Sequence, residues 1–213
     1  MHYLPNVLSV LRILLVVPTA WYLWHGEIAL ALTLMAMAGI SDGLDGALAR
    51  QYNWQSHLGS VLDPLADKFL VATTFIIFSY QSHIPLWLVI LTIGRDLMIL
   101  LGGSLYRMVF GAFEIRPTLV SKANTAMQIV TLILIMLYLL PDSTVQIPLL
   151  AELGQYLGRA TEQLVNPYCF WLLMVLGSVS GVQYIVIWGG RTRAQVQARK
   201  EAQVALQDGS SNR

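Results

Sequence analysis

The stretch of residues 42–67 reads DGLDGALARQYNWQSHLGSVLDPLAD. It places four aspartates inside two segments that are otherwise apolar enough to lie in a membrane: Asp42, Asp45, Asp63 and Asp67. A single Asp at the centre of a transmembrane helix costs about 2.5 to 3.5 kcal/mol on insertion scales. Four carboxylates that face one another could not all remain ionised at neutral pH without counter-charge. The stretch therefore predicts a functional site that binds cations.

The composition of the chain is typical of a membrane protein. Of its 213 residues, 56% are hydrophobic and 12% are charged, whereas a soluble domain has about 25% charged residues. The formal net charge of +1 is too small to indicate a nucleic-acid partner. With one cysteine, Cys169, the sequence excludes an internal disulfide and a thiolate metal cluster.

Apolar segments of about 20 residues, the length that spans a bilayer, occur six times along the chain. They cover residues 6–24, 28–50, 59–80, 84–106, 119–140 and 167–189. Asn6 is the expected N-cap of the first helix, and Pro85, Pro117 and Pro167 stand at or near three other helix starts. No alternating strand pattern is visible, and open sheet edges are not tolerated in hydrocarbon. The predicted fold is an all-α integral membrane protein with six transmembrane helices.

The distribution of basic residues predicts the orientation in the membrane. They concentrate in one set of connections and in the tail: Arg50, Arg107, Arg116, Lys122, Arg191, Arg193, Arg199 and Lys200. The loop 81–83 has none, and the loop 141–166 has one Arg against three acidic residues. Both termini are predicted to be cytoplasmic, with a membrane domain over 1–189 and a polar tail, partly helical, over 190–213. The sequence shows no transit peptide or cleavage site, which favours a bacterial inner-membrane protein.

The aspartates recur at helical spacing, which puts them on one face of each helix. Asp42 and Asp45 are three residues apart, and Asp63 and Asp67 are four apart. A short connection over about 51–57 makes the two helices antiparallel neighbours near the cytoplasmic surface. Oxygen ligands without His or Cys suit hard cations such as Mg²⁺, Mn²⁺ or Ca²⁺. Four carboxylates match two divalent ions, the usual device for holding a pyrophosphate during in-line displacement.

Eight residues in this stretch, here called the signature residues, fit the pattern Asp-x2-Asp-Gly-x2-Ala-Arg-x8-Gly-x3-Asp-x3-Asp. They are Asp42, Asp45, Gly46, Ala49, Arg50, Gly59, Asp63 and Asp67. The pattern resembles the signature of the CDP-alcohol phosphatidyltransferases, and the resemblance extends over about residues 4–189. It implies a dimeric membrane enzyme that binds a CDP-linked lipid, CDP-diacylglycerol, through a two-metal site open to the cytoplasm.

The resemblance also implies a role for each signature residue. Asp42, Asp45, Asp63 and Asp67 would hold two Mg²⁺ or Mn²⁺ ions, and Asp67 would be the catalytic base for the acceptor hydroxyl. Gly46, Ala49 and Gly59 would line the cytidine and pyrophosphate pocket, with Arg50 supporting it. The implied reaction is transfer of a phosphatidyl group from CDP-diacylglycerol to a hydroxyl, with release of CMP, in glycerophospholipid synthesis.

The acceptor pocket should be basic if the acceptor carries phosphate. The candidates are Arg95, Arg107, Arg116 and Lys122. Arg107 could be a membrane-surface anchor, and Arg95 could form only an internal salt pair with Asp96. Lys122, beside Ser121 at a helix start, is the favoured anion contact.

Within the family, several segments are most similar to the eukaryotic-type cardiolipin synthases. They are Ser41-Asp42, Leu62–Lys68, Arg95-Asp96 and the run from Arg116 through Gln128. The resemblance implies phosphatidylglycerol as the acceptor. Glycerol 3-phosphate, the acceptor of a phosphatidylglycerophosphate synthase, is the close alternative.

Two other classes of protein place carboxylates inside membranes. Intramembrane prenyltransferases bind a prenyl diphosphate through Mg²⁺, but they have more helices and lack the Gly-x2-Ala-Arg element. A divalent-cation carrier would hold its ligands near the bilayer midplane with access from both sides, and no outer vestibule is indicated.

Overall fold

The computed structural model describes residues 4–52, 59–110, 118–140, 148–149, 152, 161 and 165–211. Within these ranges, residues 4–9, 42–52, 59–67, 107, 110, 166–167, 196 and 198–211 are described for the backbone alone. This part of the chain is helical and contains no strand, so the all-α prediction is confirmed. The helices are α1 (Leu4–Trp24), α2 (Ile28–Tyr52), α3 (Gly59–Tyr80), α4 (Leu86–Phe110), α5 (Leu119–Leu139) and α6 (Phe170–Ser211). A π-helical turn, Val165–Cys169, leads directly into α6.

Local chemistry explains where the helices start. The α4 helix begins directly after Pro85, whose carbonyl accepts the Leu88 N–H at 3.0 Å, as the missing proline N–H allows. Thr118 caps α5, with extended backbone and a hydroxyl that accepts the Ser121 N–H at 3.2 Å. The expectation for Asn6 is wrong, since α1 begins two residues earlier, at Leu4. Pro167 lies inside the π-helical turn.

The first three helices alternate in direction. Trp24, at the end of α1, stacks on Tyr80, at the end of α3, with ring centroids 4.8 Å apart. Beside them, the Gln81 side-chain amide donates to the Leu23 carbonyl at 2.9 Å. A tight turn, with Gly26 at φ +76°, starts α2 at this same end. We call the other end of the bundle, where α2 ends and α3 begins, the signature end.

The last three helices continue the alternation. Arg95 of α4 donates hydrogen bonds to Ser121 of α5 and to Ser180 of α6. Towards the signature end, Tyr106 packs edge-on against Trp188, with centroids 5.4 Å apart. Residue numbers increase in the same direction along α4 and α6, from the Arg95–Ser180 contact to the Tyr106–Trp188 contact, so these two helices are parallel. The α5 helix between them runs the other way and starts at the signature end.

The apolar core lies away from the signature end. Its largest fully buried side chains include Leu23, Phe75, Phe78, Leu88 and Met136. The outer faces of the helices are also apolar, with large exposed side chains such as Leu14, Val17, Ile90, Leu101 and Ile185. Soluble monomers rarely expose so large an apolar surface, so the outer faces fit a lipid environment.

Three helical segments are long and apolar enough to cross a membrane: Leu86–Tyr106, Leu119–Leu139 and Phe170–Gln195. Three shorter apolar segments lie on α1, α2 and α3: Val10–Trp24, Ile28–Ser41 and Lys68–Tyr80. They are shorter because the spans predicted over 6–24, 28–50 and 59–80 include residues that are described for the backbone alone. The α6 helix continues through Ser211, so the boundary predicted at residue 189 falls inside an unbroken helix.

Candidate active site

The signature residues lie on two helices. The last part of α2 carries residues 42–50, and the first part of α3 carries residues 59–67. Their backbone is helical throughout, so the three- and four-residue spacings of the aspartates are helical spacings. Their side chains lie outside the described residues, as does that of Arg107 on α4, and the backbone of Arg116 is outside as well. The roles expected for these residues stay predictions.

Helices α2 and α3 run antiparallel and touch in the halves that lie away from the signature end. The Thr74 hydroxyl lies 3.9 Å from the Met35 sulfur. Asp42 is seven residues after Met35, and Asp67 is seven residues before Thr74. At a rise of 1.5 Å per residue, both backbone positions lie about 10 Å from this contact towards the signature end. Asp42 and Asp67 therefore occupy one level of the bundle, and Asp45 and Asp63 lie about one turn further on.

A cluster of three charged residues, here called the charged triad, begins one residue after Asp67. Lys68 of α3 and Arg95 of α4 both bind the Asp96 carboxylate, through the Lys68 Nζ and the Arg95 Nη1, each at 2.5 Å. The Arg95 and Asp96 side chains are 4% and 12% exposed, and that of Lys68 is 26% exposed. Two cations share one carboxylate, so the triad carries a net charge of +1 beside the aspartate-rich stretch.

Arg95 is held by hydroxyl groups from two further helices. Its Nε donates to the Ser180 hydroxyl at 3.1 Å, and its Nη2 donates to the same hydroxyl at 2.7 Å and to Ser121. A buried ion pair is tolerated when additional hydrogen bonds satisfy its remaining polar atoms. The triad and its two serines thus join α3, α4, α5 and α6 at the level of Asp67.

An apolar groove of about 360 Å³ leaves the charged triad between α3 and α4. Lys68 and Asp96 belong to its lining. Its remaining lining is mostly apolar: Phe69, Val71, Ala72, Ile76, Ile93, Leu97 and Leu100. A groove with two charged side chains and mostly apolar walls is suited to an amphiphile with a charged head.

The described side chains contain no group of three or more His, Cys, Asp or Glu that could hold a metal. The four signature aspartates lie outside that set, and their chemistry fits a divalent cation. They offer oxygen ligands alone, at spacings that the helical backbone of α2 and α3 preserves.

The sequence profile of the CDP-alcohol phosphatidyltransferase family matches residues 2–177. That match covers most of the chain, including both signature helices and the charged triad. The chain belongs to the CDP-alcohol phosphatidyltransferase family. This assignment confirms the resemblance carried by the signature residues and places the chain in a family of transferase enzymes.

Several relatives of this phosphatidyltransferase-family chain are named as cardiolipin synthases. The human cardiolipin synthase (CMP-forming) is 33% identical over 143 residues, which is 60% of this chain and 48% of that protein. The probable cardiolipin synthase (CMP-forming) of Drosophila melanogaster is 34% identical over 145 residues, 61% of this chain and 45% of that protein. The Streptomyces coelicolor cardiolipin synthase (CMP-forming) is 36% identical over 103 residues, 46% and 48% of the two chains. The matched segments span about half the length of these relatives.

Two of the candidate acceptor residues, Arg95 and Lys122, have described side chains. Arg95 is buried and Lys122 is exposed. Lys122 is exposed on the first turn of α5, while its neighbour Ser121 is buried against Arg95. The pairing of Arg95 with Asp96 is the internal salt pair considered from the sequence, extended by Lys68. Lys68 was not singled out as a site residue. The available signal was its position after Asp67 in an apolar helix.

Proposed function

We propose that this chain is a membrane phosphatidyltransferase that moves the phosphatidyl group of CDP-diacylglycerol to an acceptor hydroxyl and releases CMP. The observation that carries the proposal is the antiparallel contact of α2 and α3 in a chain of this family. Through the contact of Met35 with Thr74, it brings the signature stretches of both helices to one level. The charged triad lies directly beside that level.

The signature aspartates supply the metal ligands in this proposal. Asp42, Asp45, Asp63 and Asp67 would hold two Mg²⁺ or Mn²⁺ ions. When bound, these ions would neutralise the pyrophosphate charge and make CMP a better leaving group. Gly46, Ala49 and Gly59 lack bulky side chains, so the nucleotide can approach the backbone, and Arg50 supports the same pocket.

The chemical step needs one base. The oxygen of the acceptor hydroxyl attacks the phosphorus that bears diacylglycerol, and Asp67 accepts the proton of that hydroxyl. A new phosphorus–oxygen bond forms, and the bond from that phosphorus to the oxygen of the CMP phosphate breaks. The products are the phosphatidylated acceptor and CMP, and the transferred proton rests on the carboxyl group until solvent removes it.

Phosphatidylglycerol is the acceptor that the observations favour. Its phosphate is anionic, and the charged triad offers a net positive charge with Lys68 as its most accessible cation. The groove between α3 and α4 offers an apolar surface for part of an acyl chain. The relatives named as cardiolipin synthases agree with this choice. Glycerol 3-phosphate is the second candidate, because the triad alone would bind its phosphate.

Further parts of the proposal concern placement and assembly. We place six spans in residues 1–189, both termini and the polar tail 190–213 in the cytoplasm, and the chain in a bacterial inner membrane as a homodimer. Basic side chains at the signature end support this orientation: Lys122, Arg191 and Arg193. The described residues at the opposite end include no Lys or Arg, as the positive-inside rule requires of an outer face.

The decisive experiment supplies purified chain and labelled CDP-diacylglycerol with one acceptor at a time. Phosphatidylglycerol, glycerol 3-phosphate and inositol phosphate are compared by CMP release and by the labelled product. We expect CMP and cardiolipin with phosphatidylglycerol. If only glycerol 3-phosphate supports turnover, it is the acceptor in place of phosphatidylglycerol. No CMP with any of the three would reject the proposed transfer and favour a prenyltransferase or a cation carrier.

A further inference from the structure

Four buried polar side chains form a stripe along one face of α5. They are Ser121, Asn124, Gln128 and Thr131, spaced by three, four and three residues. At this spacing they lie on one side of the helix. Ser121 binds Arg95, and the Thr131 hydroxyl donates to the Met127 carbonyl at 2.8 Å. Of the two amides between them, that of Gln128 has no hydrogen-bond partner, and that of Asn124 has none at its Nδ2.

Asn124 and Gln128 are completely enclosed, at 1% and 0% exposure. Three of their amide atoms are buried without a hydrogen-bond partner: the Asn124 Nδ2, the Gln128 Nε2 and the Gln128 Oε1. Buried polar groups in folded proteins are nearly always hydrogen-bonded, because an unpaired one destabilises the fold. Two adjacent amides in this condition offer donors and an acceptor that a hydroxyl-bearing ligand can satisfy.

The amides lie next to the charged triad. Ser121, which binds the Arg95 guanidinium, precedes Asn124 by about one helical turn. On the facing helix α6, residue 177 is a glycine, and a Cβ atom there would stand 3.6 Å from the Asn124 Oδ1. The α6 backbone thus forms a close wall beside Asn124. Asn124 and Gln128 thus lie about one and two helical turns along α5 from the serine that binds Arg95.

The chemistry of a primary amide selects among possible ligands. An amide both donates and accepts hydrogen bonds, and so does a hydroxyl group, whereas a phosphodiester oxygen accepts only. We propose that Asn124 and Gln128 bind the head-group hydroxyl of the acceptor that does not attack the phosphorus, so that a phospholipid with a polyol head is selected over one with an alkyl head. The proposal rests on the proposed phosphatidyl transfer and assigns its acceptor specificity to α5.

The test compares two lipids with the same acyl chains and the same phosphodiester charge. Phosphatidylglycerol carries two free hydroxyls, and phosphatidylethanol carries none. Binding of each to the full chain in detergent is measured by native mass spectrometry. We expect the unmodified protein to bind phosphatidylglycerol about tenfold more tightly, the ratio that one well-formed hydrogen bond gives. Gln128→Met and Asn124→Leu should each reduce this ratio towards one.

A matched control uses an amide that already has a partner. Gln81→Met removes the amide that donates to the Leu23 carbonyl at the other end of the bundle, and it should leave the tenfold preference unchanged. Gln128→Met should also fold with an unfolding midpoint at or above that of the unmodified protein, because no protein partner is lost.

Each result decides the matter. Equal binding of the two lipids by the unmodified protein, or an unchanged preference in both α5 variants, overturns the proposal. A Gln128→Met chain that does not fold also counts against it, because the amide would then be structural. Selective binding without CMP release in the same preparation would refute the proposed transfer and leave the hydroxyl site standing.

Discussion

Asp96→Asn should strongly destabilise the bundle, because Asp96 is the one carboxylate that two cations share in the charged triad. Its oxygens bind Lys68 and Arg95, each at 2.5 Å. Removing one partner of a buried ion pair costs about 3 to 5 kcal/mol. The lower end applies here because Lys68 is 26% exposed and solvent screens it. A loss of about 3 kcal/mol raises the unfolded fraction about a hundredfold and lowers the midpoint of a chain of this size by about 6 to 12 °C.

The control for this prediction is the other end of the same ion pair. Lys68→Met removes one of two cations and leaves Asp96 bound to Arg95, so it should cost less than about 1 kcal/mol. The double variant should be more stable than Asp96→Asn alone, because one unbalanced cation is gone. Thermal unfolding of all four proteins in the same detergent measures the series. Equal losses for Asp96→Asn and Lys68→Met, or none for Asp96→Asn, would refute the reasoning.

Three further results are expected. Asp67→Asn should abolish CMP release while CDP-lipid binding persists, and normal turnover by this variant would remove Asp67 as the base. EDTA should abolish activity, and Mg²⁺ or Mn²⁺ should restore it; full activity in EDTA would reject the carboxylate metal site. Burial lowers the pKa of His83, in the α3–α4 turn, below its usual 6.5. The unfolded chain therefore takes up the proton first, and stability should fall as the pH drops from above 6.5 through the lowered pKa. His83→Gln should flatten that part of the unfolding-midpoint profile, whereas an unchanged profile would exclude His83 as its source.

The length of the apolar runs and the positions of the prolines were enough to predict six helices from the sequence. The start of α4 after Pro85 follows from the missing proline N–H, which is a local effect. Asn6 failed as a cap because α1 begins two residues before it, at Leu4. A capping side chain marks a favourable start, but helix propagation can pass through it.

The partners of Arg95 could not be predicted in the same way. Its bond to Asp96 joins chain neighbours, so the sequence suggested it. Lys68 and Ser180 lie on other helices, 27 residues before and 85 residues after Arg95 in the sequence. Those contacts depend on the rotation of each helix about its axis, which hydrophobic periodicity leaves undetermined in a helix that is apolar on all sides. The amides of Asn124 and Gln128 were overlooked for the same reason.

The length of α6 has a mechanical consequence. From Ser180, which holds the Arg95 guanidinium, the helix runs 31 residues to Ser211, about 46 Å at 1.5 Å per residue. The α6 sequence contains no proline, and adjacent glycines occur at Gly189-Gly190, the kind of position where a helix bends most readily. If this pair stays straight, a tilt of 5° about Ser180 moves the far end by about 4 Å. In the opposite direction, a force on the distal part of α6 exerts a torque about Ser180, which binds Arg95.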